Sequence, residues 1–313
     1  MYTILYVLTD SEKLTYYNQL LISLKSLRIH MPEQKICVLL DESTFEILEK
    51  KKRTELKDVF HADTIVVEIN DSYSQKEKSR YLKLKTRNLV SGTILFLDTD
   101  TVIAGPLPEI LSDSDLAMVP DYNTMFTERS DYEEMASLNA KYGYNLEKNT
   151  CYFNGGVIWA KDTEKTRTFF DAWFSEWNGK RSIAVLDQPS LNHINKEMGG
   201  IISTLDNKYN LQINAVPTPV QYISETMIIH YFNMAGRSPY LLNDSYYQSL
   251  PYDSEEIDRI ITAPLSAFKT SMIVEVDSRS MRFLKSRTFR MLTPFYDFYH
   301  RIRRAVRTLF RKR

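Results

Sequence analysis

The first hundred residues alternate between short apolar runs and longer amphipathic or polar segments. Four runs have the length of a buried strand, and they are Ile4–Leu8, Lys35–Leu40, Thr64–Ile69 and Thr93–Leu97. The segments between these runs have the spacing or composition of helices, and the predicted helices are Tyr16–Leu27, one that begins near Ser43, and about Lys76–Leu89. Strands that alternate with helices predict a parallel sheet with helices on both faces. This pattern constrains the chain most, because ligands of such sheets bind beyond the carboxyl ends of the strands.

The later part of the chain predicts further elements of the same body. They are strands at "LAMVP", at "CYFNGGVIWA" (interrupted by two glycines) and at Met227–Phe232, and helices near Ser130–Tyr142, Asp162–Trp177 and Asp187–Lys196. A chain of 313 residues, 43% hydrophobic, suits one large α/β domain with an appendage. We expect residues 1–250 to form the α/β domain and residues 251–313 to form a C-terminal helical extension.

The formal net charge is zero, but the charge is unevenly distributed. From Arg287 to Arg313 there are nine Lys or Arg and one acid, Asp297, so this segment carries +8 and the rest carries −8. An acidic body argues against nucleic acid as a partner. Thr293-Pro294 predicts a helix start, and a basic amphipathic helix with aromatic residues is typical of an interfacial membrane anchor. We therefore expect the tail to bind an anionic membrane surface; packing on the acidic body is the alternative.

The two cysteines indicate no disulfide framework, which favours a reducing compartment. The start, "MYTILYVLTD", has the pattern of a first strand rather than of a signal peptide. No apolar run reaches the roughly 20 residues that span a bilayer. The expected location is cytoplasmic, peripheral to the inner face of the cytoplasmic membrane.

Two carboxylates, Asp98 and Asp100, follow the fourth predicted strand in "LFLDTDTV". Like charges this close are unfavourable unless a cation lies between them. Carboxylate oxygens suit Mg²⁺ or Mn²⁺, ions that also bind diphosphate oxygens. Capping of a helix is the structural alternative. The string also fits haloacid-dehalogenase-type phosphatases, with Asp98 as nucleophile, but in that fold this strand comes first, whereas here three strands precede it.

Two later motifs carry polar side chains suited to contacts with a ligand. In "FNGG", Asn154 offers both a donor and acceptors, and glycine lets backbone approach a ligand closely; a bulge in a core strand is the alternative. In "DQPSLN", Asp187 and Gln188 fit a helix N-terminus with Pro in the first turn. Asp121, which follows "LAMVP", is another carboxylate that can line a cleft.

Four motifs in order resemble the glycogenin- and bacterial lipopolysaccharide-galactosyltransferase-like family, family eight of the retaining glycosyltransferases. They span Tyr2 to Tyr240, and they are "YLKLKTRNLVSGTILFLDTDTVI", "FNGGVIWA", "DQPSLN" and "HYFNMAGRSPY". The resemblance implies a GT-A type fold, that is, a single Rossmann-like nucleotide-binding domain with a mixed, mostly parallel sheet. It also implies that His230 is the third metal ligand beside Asp98 and Asp100. A mixed carboxylate and imidazole site favours Mn²⁺ over Mg²⁺.

The resemblance further assigns roles around a bound nucleotide-sugar. The candidate donor-binding residues are Thr9, Asp10, Arg80, Lys83, Asp98, Thr99, Asp100 and Arg237. A solvated basic face is the alternative for Arg80 and Lys83. The last motif departs from the family pattern, since Arg-Ser-Pro-Tyr stands where Lys-Pro-Trp is expected, so Arg237 would replace the phosphate-binding Lys. Asp187, Gln188 and Asn154 would hold the sugar near its anomeric carbon.

Together these features predict a metal-dependent transferase. It would move a hexose, glucose or galactose, from a UDP-sugar to a glycan or lipid-linked acceptor with retention of configuration. An aspartyl phosphatase acting through Asp98 is one alternative. A nucleotide-sugar-binding protein without turnover is another, but the complete set of candidate residues argues against a loss of catalysis.

Overall fold

The computed structural model describes residues 2–124, 126, 131–147, 151–183, 185–213, 225–232 and 240–267. The strands are β1 (Thr3–Leu8), β2 (Ile36–Asp41), β3 (Asp63–Val67), β4 (Ile94–Leu97), β5 (Thr101–Ile103), β6 (Leu116–Pro120), β7 (Phe153–Ala160), β8 (Ser203–Thr204), β9 (Leu211–Gln212) and β10 (Ile228–His230). The α-helices are α1 (Thr15–His30), α2 (Glu42–Lys50), α3 (Glu55–Asp58), α4 (Gln75–Leu84), α5 (Thr86–Leu89), α6 (Tyr132–Lys141), α7 (Glu164–Lys180), α8 (Gln188–Glu197), α9 (Ser245–Ser249) and α10 (Glu255–Thr262).

Seven strands form the main sheet, in the order β3-β2-β1-β4-β7-β6-β8. The pairs β3–β2, β2–β1, β1–β4 and β6–β8 are parallel, whereas β7 runs antiparallel to both β4 and β6. The sheet is therefore mixed and mostly parallel, as the sequence predicts. The strand with two glycines, β7, is continuous over all eight residues. The predicted helix Lys76–Leu89 is divided at Lys85 into α4 and α5.

Hydrophobic side chains alternate between the two faces of the central strands. Along β1, Ile4 and Tyr6 pack into one buried cluster together with helix α1. Leu5 and Val7 pack into a second cluster, on the other face, with Phe169 and Trp173 of α7. Both faces of β1 are therefore covered, which explains why its sequence is apolar almost throughout.

A second, three-stranded sheet has the order β5-β10-β9. It follows the main sheet directly, because β4 and β5 are separated only by residues 98–100. Helix α10 packs beside it, with Ile257, Ile260 and Ile261 buried in the same cluster as Ile22 of α1. The small sheet therefore lies next to Asp98 and Asp100, and it contains His230.

The basic tail, Arg287 to Arg313, lies outside the described residues, so its predicted helix and membrane contact remain predictions. Of the helices in the described ranges, none is long and apolar enough to cross a membrane.

Candidate active site

The Asp-x-Asp turn links the two sheets and is held by hydrogen bonds from both. The Asp98 backbone N–H donates to the Gly156 carbonyl of β7 over 2.8 Å. The backbone N–H of Tyr231 donates to the Asp100 carbonyl over 2.9 Å. The Thr101 hydroxyl donates to the Asp98 carbonyl over 2.9 Å. Because its backbone groups are paired, the turn can hold both carboxylates in fixed positions.

Pairing within the small sheet brings His230 to this turn. Strand β10 runs antiparallel to β5, with His230 opposite Thr101. His230 Nε2 lies 3.2 Å from Asp100 Oδ1 and 3.9 Å from Asp98 Oδ2. One ligand atom from each of the three residues lies within 4.8 Å of the others, so the cluster can hold one ion. The three predicted metal ligands are therefore brought together.

Burial and charge act in opposite directions on this cluster. Burial by itself would raise the pKa of Asp100, but the adjacent His230 imidazolium outweighs it and the pKa lies below the usual range. Burial would lower the pKa of His230, but Asp100 outweighs it and the pKa lies above the usual range. The carboxylates thus stabilise a positive charge here. Two hard oxygens and one imidazole form a donor set that suits a divalent transition ion such as Mn²⁺.

A second group of charges adjoins the cluster. Lys83 of α4 lies between two carboxylates, with Nζ 3.4 Å from Asp98 Oδ1 and 3.7 Å from Asp187 Oδ2. One turn earlier, Arg80 Nε lies 3.4 Å from Asp187 Oδ1. Burial would raise the pKa of Asp187, but Lys83 and Arg80 outweigh it, and the pKa lies below the usual range. Asp187 is therefore ionised, and its carboxylate can only accept hydrogen bonds.

Asp187 stands at the N-cap of α8, but its side chain makes no capping hydrogen bond. Its backbone is fixed instead, since its carbonyl accepts from Trp173 Nε1 at 3.0 Å and from the Ser190 hydroxyl at 2.8 Å. The carboxylate therefore faces the two cations of α4, and capping does not explain it.

The Asn154 side chain is largely engaged by the protein itself. Its Oδ1 accepts from the Gly156 backbone N–H at 2.9 Å and from Asn210 Nδ2 at 3.1 Å. Its Nδ2 donates to Asp121 Oδ1 over 3.0 Å. One amide hydrogen therefore remains for a ligand. Asp121 itself precedes two consecutive left-handed residues, Tyr122 and Asn123, with φ of 57° and 54°.

Gly156 makes room for a protein side chain. A Cβ built there would lie 2.1 Å from Cε1 of His230 and 2.6 Å from its Nδ1. The sequence predicts that this glycine lets the backbone approach a ligand, whereas in the structure the space beside it is filled by the imidazole of His230.

An open cavity of about 590 Å³ joins these groups. Most of the predicted site residues line it, namely Thr9, Arg80, Lys83, Asp98, Thr99, Asp100, Asn154, Asp187, Gln188 and His230. Asp121 also lines the cavity, as do the exposed side chains of Tyr16 and Leu186.

Asp10 is not among the described residues that line it. The Asp10 carboxylate is buried at the start of α1, where it accepts from the backbone N–H groups of Ser11 and Tyr17 at 2.8 and 2.6 Å. Asp10 therefore organises the loop that carries Thr9. Arg237 lies outside the described residues.

The sequence did not indicate Asn210. It is fully buried, and its Oδ1 lies 3.2 Å from Nδ1 of His230. Nothing in "NKYNLQ" distinguishes this asparagine from a loop residue, because its partners come from β7 and β10 and meet it only in the folded chain.

The mixed sheet carries the Asp-x-Asp turn and the paired cations of α4 at one cavity, as a glycosyltransferase of the GT-A fold is expected to do. The family model "Glycosyl transferase family 8" matches residues 11–236, so the chain belongs to glycosyl transferase family 8. No curated protein sequence matches the chain significantly. Membership of this family decides against the phosphatase alternative.

Solved structures show the same fold. The galactosyltransferase LgtC, described in complex with donor and acceptor sugar analogues, is similar over 88% of this chain and 98% of its own, with 16% identity and a TM-score of 0.51. The glycosyltransferase GlyE of Streptococcus pneumoniae TIGR4 is similar over 89% of this chain and 66% of its own, with 17% identity and a TM-score of 0.52. At such identities the similarity establishes the GT-A fold of the chain and leaves donor and acceptor open.

Proposed function

We propose that this glycosyltransferase moves a hexose, glucose or galactose, from a UDP-sugar to a glycan or lipid-linked acceptor, using Mn²⁺. One observation carries the proposal. Lys83 Nζ lies within 4 Å of both Asp98 and Asp187, so one buried cation joins the Asp-x-Asp turn to the Asp187 carboxylate. An enzyme that breaks a sugar–phosphate bond needs these two environments next to each other.

At the phosphate end, Asp98, Asp100 and His230 would hold the ion. When bound, a divalent ion supplies positive charge that stabilises the leaving diphosphate. Lys83 adds a second positive charge beside Asp98, and Mg²⁺ would be the weaker alternative because of the imidazole ligand. Thr9, at the end of β1, lines the same cavity and is proposed to contact the nucleoside.

At the sugar end, positive charge develops on the hexose as its bond to phosphate lengthens. Asp187 stays ionised between Arg80 and Lys83, so its oxygens can accept hydroxyl hydrogen bonds and stabilise that charge. Gln188 and the remaining N–H of Asn154 supply neutral polar contacts. Retention of configuration is proposed from the family, with attack on the face that the diphosphate leaves.

The test measures UDP release from a panel of nucleotide-sugars, with Mn²⁺ and with a chelator. The wild type is compared with Asp98→Asn and with Asp113→Asn, an exposed carboxylate outside the cavity. We expect slow, Mn²⁺-dependent UDP release from one donor, lost in Asp98→Asn and kept in Asp113→Asn. UDP binding without release from any donor, even with candidate acceptors present, would instead support a binding protein without turnover.

We also propose that the enzyme works at the inner face of the cytoplasmic membrane. The support comes from the sequence, because the segment from Arg287 to Arg313 carries nine basic residues and one acid. Deleting residues 290–313 should release the protein from anionic liposomes and leave donor hydrolysis intact. Neutral liposomes serve as the control, and equal binding of full-length and truncated protein to anionic liposomes would refute the proposal.

A further inference from the structure

We propose that Asn210 is a positioning residue that makes His230 a metal ligand. It keeps a hydrogen of the imidazole on Nδ1, so that Nε2 is the nitrogen that gives up its proton to the solvent and binds an ion shared with Asp98 and Asp100. The proposal rests on the metal site of the proposed function. It follows from a buried hydrogen-bond chain in which every amide orientation can be assigned.

The assignment starts at Asn154, between two groups whose roles are fixed. The backbone N–H of Gly156 can only donate, and it lies 2.9 Å from Asn154 Oδ1. The Asp121 carboxylate accepts, and its Oδ1 lies 3.0 Å from Asn154 Nδ2. Both contacts require the same orientation of the Asn154 amide, with its oxygen toward β7. A flipped amide would lose both hydrogen bonds.

The fixed oxygen of Asn154 then determines the orientation of Asn210. Asn210 approaches that oxygen over 3.1 Å, so it must do so with its NH₂ group. Its own carbonyl oxygen is thereby turned toward Nδ1 of His230, at 3.2 Å. An amide oxygen can only accept, so the hydrogen between them belongs to Nδ1. In the neutral ring Nε2 then carries the lone pair, which is the form that binds a metal.

The backbone of Asn210 is held as firmly as its side chain. Its carbonyl accepts from Asn123 Nδ2 over 2.7 Å, and Asn123 Oδ1 in turn accepts from the Gln212 backbone N–H at 2.8 Å. Strands β9 and β10 pair in parallel directly after it, with Gln212 opposite His230. The side-chain oxygen of Asn210 therefore stays in place when no ion is bound, and it keeps the His230 imidazole oriented before an ion arrives.

The side chain of Asn210 also connects two parts of the site. Its oxygen accepts from His230, which is the contact that the proposal rests on, and its NH₂ group donates to Asn154. The metal ligand and the sugar-facing Asn154 are thereby fixed by one buried network.

The experiment measures the affinities of the full-length protein for Mn²⁺ and Mg²⁺, without a donor sugar, by electron paramagnetic resonance of free Mn²⁺ and by competition. Asn210→Leu keeps the approximate volume and removes the acceptor. Asn210→Asp keeps an acceptor oxygen toward Nδ1. Asn195→Leu is the matched control, because Asn195 is also a buried amide, bonded to the Ile202 backbone N–H at 2.9 Å and not among the residues that line the cavity.

For Asn210→Leu we expect Mn²⁺ affinity to fall about ten- to hundredfold. Mg²⁺ affinity should fall much less, because imidazole contributes more to Mn²⁺ binding than to Mg²⁺ binding. A general loosening of the site would weaken the binding of both ions alike. A change in the ratio of Mn²⁺ affinity to Mg²⁺ affinity is therefore the signature of a lost imidazole ligand. Asn210→Asp should keep the wild-type ratio, and Asn195→Leu should keep both affinities.

Unchanged Mn²⁺ affinity and an unchanged ion ratio in folded Asn210→Leu would overturn the proposal and leave the metal site standing. An equal loss of ratio in Asn210→Leu and Asn210→Asp would overturn it as well, because the acceptor would then be irrelevant. Wild-type protein that binds no Mn²⁺ would overturn both this proposal and the metal site. If Asn210→Leu does not fold, a changed ion ratio in Asn210→Asp alone decides against the acceptor role.

Discussion

Replacing Gly156 by alanine should abolish tight metal binding without unfolding the protein. The new methyl group would lie 2.1 Å from His230 Cε1, 2.6 Å from its Nδ1 and 3.0 Å from Asn154 Oδ1. Ordinary contact begins near 3.4 Å, so the ring or the strand must retreat by about 1.3 Å, the difference between 3.4 and 2.1 Å. Metal ligands tolerate errors of only about 0.2 Å.

The magnitude follows from these distances. A displaced imidazole no longer reaches the ion held by Asp98 and Asp100, and we expect Mn²⁺ affinity to fall by about a hundredfold or more. Overpacking of this kind costs about 1–3 kcal/mol of unfolding free energy. For a chain of this size that is a fall of a few degrees in Tm, so the fold should survive.

The assay is Mn²⁺ titration followed by paramagnetic resonance, with circular dichroism to confirm folding. Gly155→Ala is the control on the same strand, since its added Cβ would meet Lys83 Nζ at 3.3 Å and Leu191 Cδ2 at 3.6 Å, contacts that small adjustments can accommodate. It should bind Mn²⁺ as the wild type does. Wild-type Mn²⁺ affinity in folded Gly156→Ala would show that the imidazole does not stand where the structure has it, and the reasoning would fail.

Three further changes test the surroundings of the site. Lys83→Met leaves two carboxylates without their shared cation, and we expect about 3 kcal/mol lower stability in urea unfolding and about tenfold weaker UDP binding by calorimetry; unchanged UDP affinity would exclude a phosphate contact. Trp173→Phe removes the 3.0 Å hydrogen bond to the Asp187 carbonyl. We expect the free energy of unfolding to fall by about 1–2 kcal/mol and the KM for the donor to rise. A wild-type KM would show that Trp173 serves core packing and does not position Asp187 for the donor. Asp162 accepts a hydrogen bond from the Gly92 N–H at 2.7 Å, and this bond is the main reason why the pKa of Asp162 lies below the usual range. A carboxylate whose pKa is lowered by folding stabilises the folded protein at pH values above its unfolded pKa, near 4, and this stabilisation is lost as the pH falls. Asp162→Asn should therefore lower the free energy of unfolding by roughly 0.5–1 kcal/mol at pH 7 and by little near pH 2. A difference between variant and wild type that does not change with pH would contradict this.

The sequence by itself determined the elements and the place of the Asp-x-Asp turn. The strands β1, β2 and β4 match their predicted runs within one or two residues, because buried strands need continuous apolar sequence and their length shows in it. The end of β4 placed Asp98 and Asp100 at the ligand edge before any contact was known. The resemblance to the family added His230 and Asp187 as candidates, because two of the motifs that carry it contain these residues.

Only the tertiary structure decided how these residues serve one another. Periodicity is a local property, and it does not specify which distant strands pair. The small sheet arises because β10 pairs with β5 and β9, which brings His230 to the Asp-x-Asp turn and Asn210 to His230. The same folding turns Asp187 toward Lys83 and fills the space at Gly156 with an imidazole. Contacts between residues far apart in sequence leave no local pattern. Asp98, Asp100 and His230 were predicted because each lies in a motif, whereas Asn210, which meets His230 only in the folded chain, lies in none.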